Sequence, residues 1–238
     1  MNQRTIAIGM MTWGVVLGCA SAPGTRPQDM STSQHERAAA EHEKTGGDHD
    51  AQFRPASRDT TDETNCATYL GSCWASNPTE KHRDEAREHR TIAAKHRVAS
   101  ESLRRAEATA CVGVSTMDRD MSPFMHREAV LRVGALIRME SAVYDGGDTT
   151  KKQVGATVVV LPAVGLSAER LQRVVTCHAA RAASLGYDTP ELSFCPLAVK
   201  GATATVRSDG DGFAIDVAAD SPAGAAEVLT RAQRLLAR

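Results

Sequence analysis

Aromatic residues are scarce: Phe, Tyr and Trp together make up 4% of the 238 positions. That scarcity excludes a base-stacking platform for nucleic acid and a large aromatic core. Neither sign of charge is in excess, since 28 Lys and Arg face 29 Asp and Glu. A nucleic-acid binder normally carries a basic excess, so no nucleic acid is expected among the partners. Beyond the N-terminal segment, no apolar run approaches the ~20 residues that a membrane-crossing helix needs. Catalytic signatures are missing as well. There is no Gly-x-Ser-x-Gly elbow, no phosphate-cradling glycine loop and no dinucleotide fingerprint. Cys66 and Cys73 stand too far apart for a redox Cys-x-x-Cys pair. The chain therefore reads as non-enzymatic. A hydrolase or thiol enzyme without a short motif is the remaining alternative, and it requires a pocket joining His126 or His178 to a cysteine or an aspartate.

The N-terminus does carry a signature. Arg4 supplies a small positive region, and Ile6 to Leu17 follow without a charge. That length suits the apolar region of an export signal and is too short for a membrane span. Val16-Leu17-Gly18-Cys19 closes the run, with small Gly18 and Ala20 on either side of the cysteine. This segment resembles the signal peptide and lipobox of bacterial lipoproteins. The resemblance covers only the first twenty residues or so. It implies cleavage after residue 18, a diacylglyceryl group on the Cys19 thiol and acylation of the new amine, with palmitate as an attached chain. Partnership with a membrane through N-terminal lipid would follow, since each buried CH₂ contributes roughly 0.8 kcal/mol. Ala20 is similar to the residue found after the cysteine in lipoproteins sent to the outer membrane. The weaker readings are an ordinary secretory signal with an incidental cysteine and a true membrane anchor. Residues 19–32, with Pro23, Gly24 and Pro27, read as a lipidated, flexible tether.

Export permits disulfides. With Cys19 set aside, Cys66, Cys73, Cys111, Cys177 and Cys195 remain. Cys66 with Cys73 could close a small ring within a loop, with two unpaired thiols and then a metal pair as the weaker readings. Cys177 with Cys195 locks the loop after a helix, which leaves Cys111 as the odd thiol.

The grammar of the chain changes near Cys111. Residues 33–111 are polar and rich in histidine and alanine, whereas residues 112–238 show β-branched alternation. Ser33 with Glu36 has capping-box spacing for a first helix that should stop at Gly46-Gly47. Asn77 and Pro78 open a second, long helix that has no Gly or Pro from Glu80 to Cys111. The C-terminal region reads as strand, strand, helix, strand, strand, helix. Ser167 caps the first helix, with Leu171, Val174, Val175, His178, Ala182 and Leu185 inward. Asp209-Gly210-Asp211-Gly212 turns a hairpin, and a calcium loop there is the weaker reading. Ser221 and Pro222 open the last helix, with Val228, Leu229, Ala232, Leu235 and Leu236 inward. The fold class expected is α+β: a helical hairpin or long helical arm, followed by a two-layer antiparallel sheet/helix sandwich of ββαββα order.

Histidine spacing supplies the candidate site. His82, His89 and His96 recur every seven residues, as do His35 and His42. A seven-residue step keeps them on one helical stripe but ~10 Å apart along the axis, so one helix alone cannot close them on an ion. Antiparallel pairing of the two helices would set imidazoles opposite each other. Glu36, Glu41, Glu43, Glu85 and Glu88 lie near enough in sequence to add oxygen donors. Imidazole with carboxylate suits zinc, copper or nickel. Two blander readings stand beside this one: a packing seam of histidines among small alanines, and a proton-responsive seam. His49 repeats the spacing but lies beyond Gly46-Gly47, which weakens its register. His178 reads as a hydrogen-bonded core histidine. A site built from Cys111, His126 and Cys177 is a minor candidate. Asp118 and Asp120 read as turn residues paired with Arg119 or Arg127. The function expected is binding or scaffolding in the cell envelope, with metal bound at the helical arm; capture of an envelope protein partner without metal is the alternative.

Overall fold

The computed structural model describes residues 31–57, 77–120, 122–141, 149–187 and 193–236. The export signal, Cys19 and the expected Cys66–Cys73 bridge lie outside the described residues.

Helix α1 (Thr32–Gln52) opens at Ser31, whose hydroxyl accepts the Gln34 N–H at 3.1 Å. The start is thus two residues earlier than the Ser33–Glu36 box implies. Ser33 lies inside the first turn with its hydroxyl 2.7 Å from that of Ser31, and the Glu36 carboxylate pairs with Arg104 across the hairpin. The helix also runs through Gly46-Gly47 instead of stopping there. Gly46 is buried against the second helix, where an added Cβ would lie 3.3 Å from the Ala86 carbonyl oxygen. The close approach offsets the ~1 kcal/mol that a helical glycine costs relative to alanine. Helix α2 (Glu80–Ala110) ends at Cys111 as expected, but its cap is Thr79. Asn77 instead accepts the Thr79 N–H at 2.9 Å, a turn that precedes the helix.

After a short helix α3 (Thr116–Asp120), the chain forms β1 (Val130–Ser141), β2 (Thr149–Val160), α4 (Ala168–Ser184), β3 (Ala202–Asp209), β4 (Gly212–Ala219) and α5 (Pro222–Arg234). The sheet order is β1-β2-β4-β3, with every neighbour antiparallel. The ββαββα order is as the sequence suggests. Ser167 and Ser221 cap α4 and α5 through their hydroxyls, also as expected. Val158 sits opposite Val133 on one side and Ile215 on the other. Val158 and Ile215 share one buried cluster with Leu171 and Val175 of α4 and Val228 and Ala232 of α5. Both helices therefore cover one face of the sheet. Leu236 differs from expectation, for it stands exposed beyond the end of α5. The turn at residues 209–212 pairs Asp209 with Gly212 and puts Gly210 at φ 59°, a backbone region that glycine enters without strain. Asp209 pairs with Arg132 and Arg207, which fits the hairpin reading rather than calcium.

The disulfide pattern corrects the sequence reading. Cys177 bonds to Cys111, not to Cys195, and so joins the end of α2 to α4. Neighbouring positions on a helix point ~100° apart, and the two faces of α4 have different partners. Leu171, Val175 and Ala182 face the sheet, while Cys177 and Val174 pack with Cys111 and Val114. Cys195 lies within the sheet–helix core, buried and free. Val174 accordingly lines the disulfide instead of the sheet core. Among the described residues, no helix is long and apolar enough to cross a membrane.

Candidate metal centre

The two helices of the hairpin share a register that brings histidines together in rungs. His35 meets His96 with Nδ1 atoms 2.9 Å apart, His42 meets His89 at 2.9 Å, and His49 meets His82 at 3.3 Å. Each rung lies seven residues further along one helix and seven back along the other. Small residues fill the levels between: Ala39 and Gly46 on α1, and Ala86, Ala93 and Ser100 on α2, are all buried. They let the backbones approach until imidazoles reach each other. Diagonal neighbours also touch. The His42 and His96 rings stack with centroids 5.8 Å apart, and those of His49 and His89 stack at 5.5 Å. The six rings thus form one column.

Nitrogen facing nitrogen at hydrogen-bond distance requires one Nδ1–H donor and one bare acceptor. Each rung is therefore a pair of unlike tautomers or a singly protonated pair. A second ladder of ion pairs runs outside the first. Asp50 pairs with Arg90, Glu43 with Arg97 and Glu36 with Arg104. These exposed pairs contribute little energy individually, but they repeat at the histidine spacing and agree with the same register. They also take Glu36 and Glu43 away from the ring nitrogens. Glu85 does the opposite. Its Oε2 lies 3.1 Å from His49 Nδ1 and 3.3 Å from His82 Nδ1. His49, His82 and Glu85 are, among the described residues, the one group of three donors close enough to share an ion. A tetrahedral zinc ion with bonds of about 2.0–2.1 Å holds its donors about 3.3–3.4 Å apart, so all three edges already fit.

Sequence reasoning singled out His35, His42, His82, His89 and His96, and all five lie in the column. It discounted His49, which completes the triad, because Gly46-Gly47 looked like a helix stop. Two signals override that stop. An acidic residue follows each histidine of α1 (Glu36, Glu43, Asp50), and an arginine follows each ladder histidine of α2 (Arg83, Arg90, Arg97).

The other candidates do not assemble. Cys111 and Cys177 are bonded to each other, and exposed His126 pairs with Glu128 at 3.0 Å. Asp118 pairs with Arg170 at 2.9 Å and Asp120 with Arg181 at 3.1 Å, not with Arg119 or Arg127. The hydrogen bond from Arg170 holds the Asp118 carboxyl below its usual range. His126 and Asp118 do line one cleft, together with Ser122. The Ser122 hydroxyl accepts the Phe124 N–H, however, and no serine–histidine hydrogen bond of the kind that activates a nucleophile is formed. His178 is buried as expected but, contrary to expectation, neither ring nitrogen has a hydrogen-bond partner. Burial, with the Arg181 charge second, pushes its pKa down to about 3. Burial pushes the Cys195 thiol up to about 11. Both groups are thereby held neutral. No protein-family model matches this chain, and neither a curated protein nor a solved structure matches it.

Proposed function

We propose that this chain is an exported, lipid-tethered protein of the cell envelope whose helical arm binds a transition metal ion through the histidine ladder. The observation that carries the metal half is the register of the rungs, with Glu85 placed between two ring nitrogens. Zinc, copper and nickel are the ions this donor set suits. The arm has no enzymatic role in this reading. The location half rests on the segment ending at Cys19, with lipid holding the protein to a membrane, the outer one favoured.

Native mass spectrometry of the exported full chain tests both halves. The expected species begins at Cys19, carries acyl groups and holds metal. Changing Cys19→Ser should release the protein from the membrane fraction. Absence of metal, together with unchanged affinity when His82, His89 and His96 become alanine, overturns the metal reading. A cytosolic protein that retains Met1 overturns the location.

One observation favours a second reading, a metal-independent interaction module. Strand β1 is an edge of the sheet and leaves Leu131, Ile137 and Met139 exposed. Capture of an envelope protein by β1 in the presence of a chelator would support it.

A further inference from the structure

We infer that the His49–His82–Glu85 rung is a zinc-class site with three protein donors and one open corner, filled by an exchangeable monodentate anion such as a thiolate. This rests on the ladder binding metal at all, and adds which rung binds and what the ion then accepts. The three donor–donor edges are 3.3, 3.1 and 3.3 Å. Together they trace one triangular face of a tetrahedron whose edges are about 3.3–3.4 Å. Glu85 sits one turn along α2 from His82, so it reaches over the ring it must share an ion with. His49 comes from the facing helix, which makes the site depend on the hairpin being closed. No fourth histidine, cysteine or carboxylate donor joins the group among the described residues. A site with three protein donors and one vacant position is the arrangement in which zinc keeps water or substrate.

The charge balance favours an anion at that corner. Binding needs a lone pair on both Nδ1 atoms, so a proton on Nδ1 moves to a bare Nε2 or, where both ring nitrogens carry one, leaves to solvent. Two neutral imidazoles then face the ion. The carboxylate contributes one negative charge, and a divalent ion leaves the site at net plus one. An incoming thiolate or azide displaces water and neutralises that charge. The group is also reachable: the Glu85 side chain is 44% exposed, His49 23% and His82 20%. The upper rungs are different. Their nitrogens stand at 2.9 Å, and Glu36 and Glu43 are held by arginines.

Cobalt(II) substituted into the full chain reads the geometry directly, since tetrahedral cobalt absorbs far more strongly in the visible than octahedral cobalt. The expected result is one tightly bound cobalt per chain with intense bands that shift on adding azide or a small thiol. Glu85→Gln, at a half-exposed surface position, should abolish the intense bands and weaken the tight site by more than the roughly 10–100-fold that loss of an outer-shell partner costs. A second variant, His49→Gln, should do the same, while His35→Gln with His96→Gln should leave the bands in place. Weak octahedral bands, indifference to azide and thiol, or unchanged bands in Glu85→Gln overturn this inference even if metal is bound. Failure of any metal to bind overturns the ladder reading itself.

Discussion

At position 155 a methyl group has nowhere to go. A Cβ built on Gly155 would fall inside the Val217 carbonyl of the neighbouring strand. Gly155 also sits where the β1–β2 register slips between Leu136 and Ile137, at a β-bulge. Gly155→Ala must push the two central strands apart, and the expected loss is at least the ~1–3 kcal/mol of an overpacked core. Urea unfolding checks this, and an unchanged midpoint would contradict it. His178 makes a second residue-scale prediction. Its folded pKa of about 3 lies below the ~6.5 of an unfolded chain, so acid protonates the unfolded state first. Its contribution to stability is whole above about pH 6.5 and is lost as pH falls toward 3. The full span is on the order of 5 kcal/mol at ~1.4 kcal/mol per pKa unit. His178→Leu keeps the volume and removes two unpartnered nitrogens. Thermal unfolding should show that variant losing clearly less stability than the parent between pH 7 and pH 4. Parallel pH curves for the two proteins would remove His178 as the cause.

At the scale of elements, the glycine pair in α1 separates two jobs that the sequence ran together. Gly47 has nothing near its missing side chain, so Gly47→Ala should stabilise the hairpin by about 0.5–1 kcal/mol through propensity alone. Gly46 faces the Ala86 carbonyl, the His89 Cβ and the Arg90 Cγ at 3.3 to 3.7 Å. Gly46→Ala should gain the same propensity yet spread the helices beside the His42–His89 and His49–His82 rungs. Circular dichroism melts of the two variants, read against metal affinity, separate the effects. The expected pattern is stabilisation with unchanged affinity for Gly47→Ala, and weakened affinity for Gly46→Ala. Equal behaviour of the two would mean that close approach at residue 46 is irrelevant to the rungs. This pair also shows where sequence reading stops. Strands β3 and β4, their turn and the capping serines of α4 and α5 were legible because alternation, turn residues and caps are local. The heptad of histidines was legible for the same reason. The end of α1 was not, because glycine breaks a helix by propensity but permits a contact that only the partner helix reveals. The Cys111–Cys177 bridge was hidden in the same way, since it depends on which face of α4 meets α2.

At the scale of the molecule, α2 does two things at once. Its body carries half of each histidine rung, and its last turn is fastened to α4. Cys111 holds Cys177, and Glu107 pairs with Arg181, which also pairs with Asp120. Arg181 is completely buried, and a buried guanidinium is tolerable only because carboxylates and the Arg119 carbonyl meet it there. The arm is thus fastened to α4 by a disulfide and an ion pair at the same place. The covalent one closes 66 residues of chain, for which the loop-entropy model gives about 4 kcal/mol. That stabilisation exists only where thiols stay oxidised, which is the condition an exported protein meets. Reducing the bond should lower the unfolding free energy of the α4–sheet region by that order, and the double change Cys111→Ser with Cys177→Ser should reproduce it. The hairpin responds differently. Its rungs are made between α1 and α2 and do not pass through the bridge, so cobalt bands should survive reduction under conditions where the sheet is still folded. Hydrogen exchange resolves the two regions in one experiment: faster exchange in α4 with α1 and the body of α2 unchanged is the expected result. Equal acceleration along the whole chain would show that the arm has no stability of its own and that the fastening at Cys111 holds both halves up.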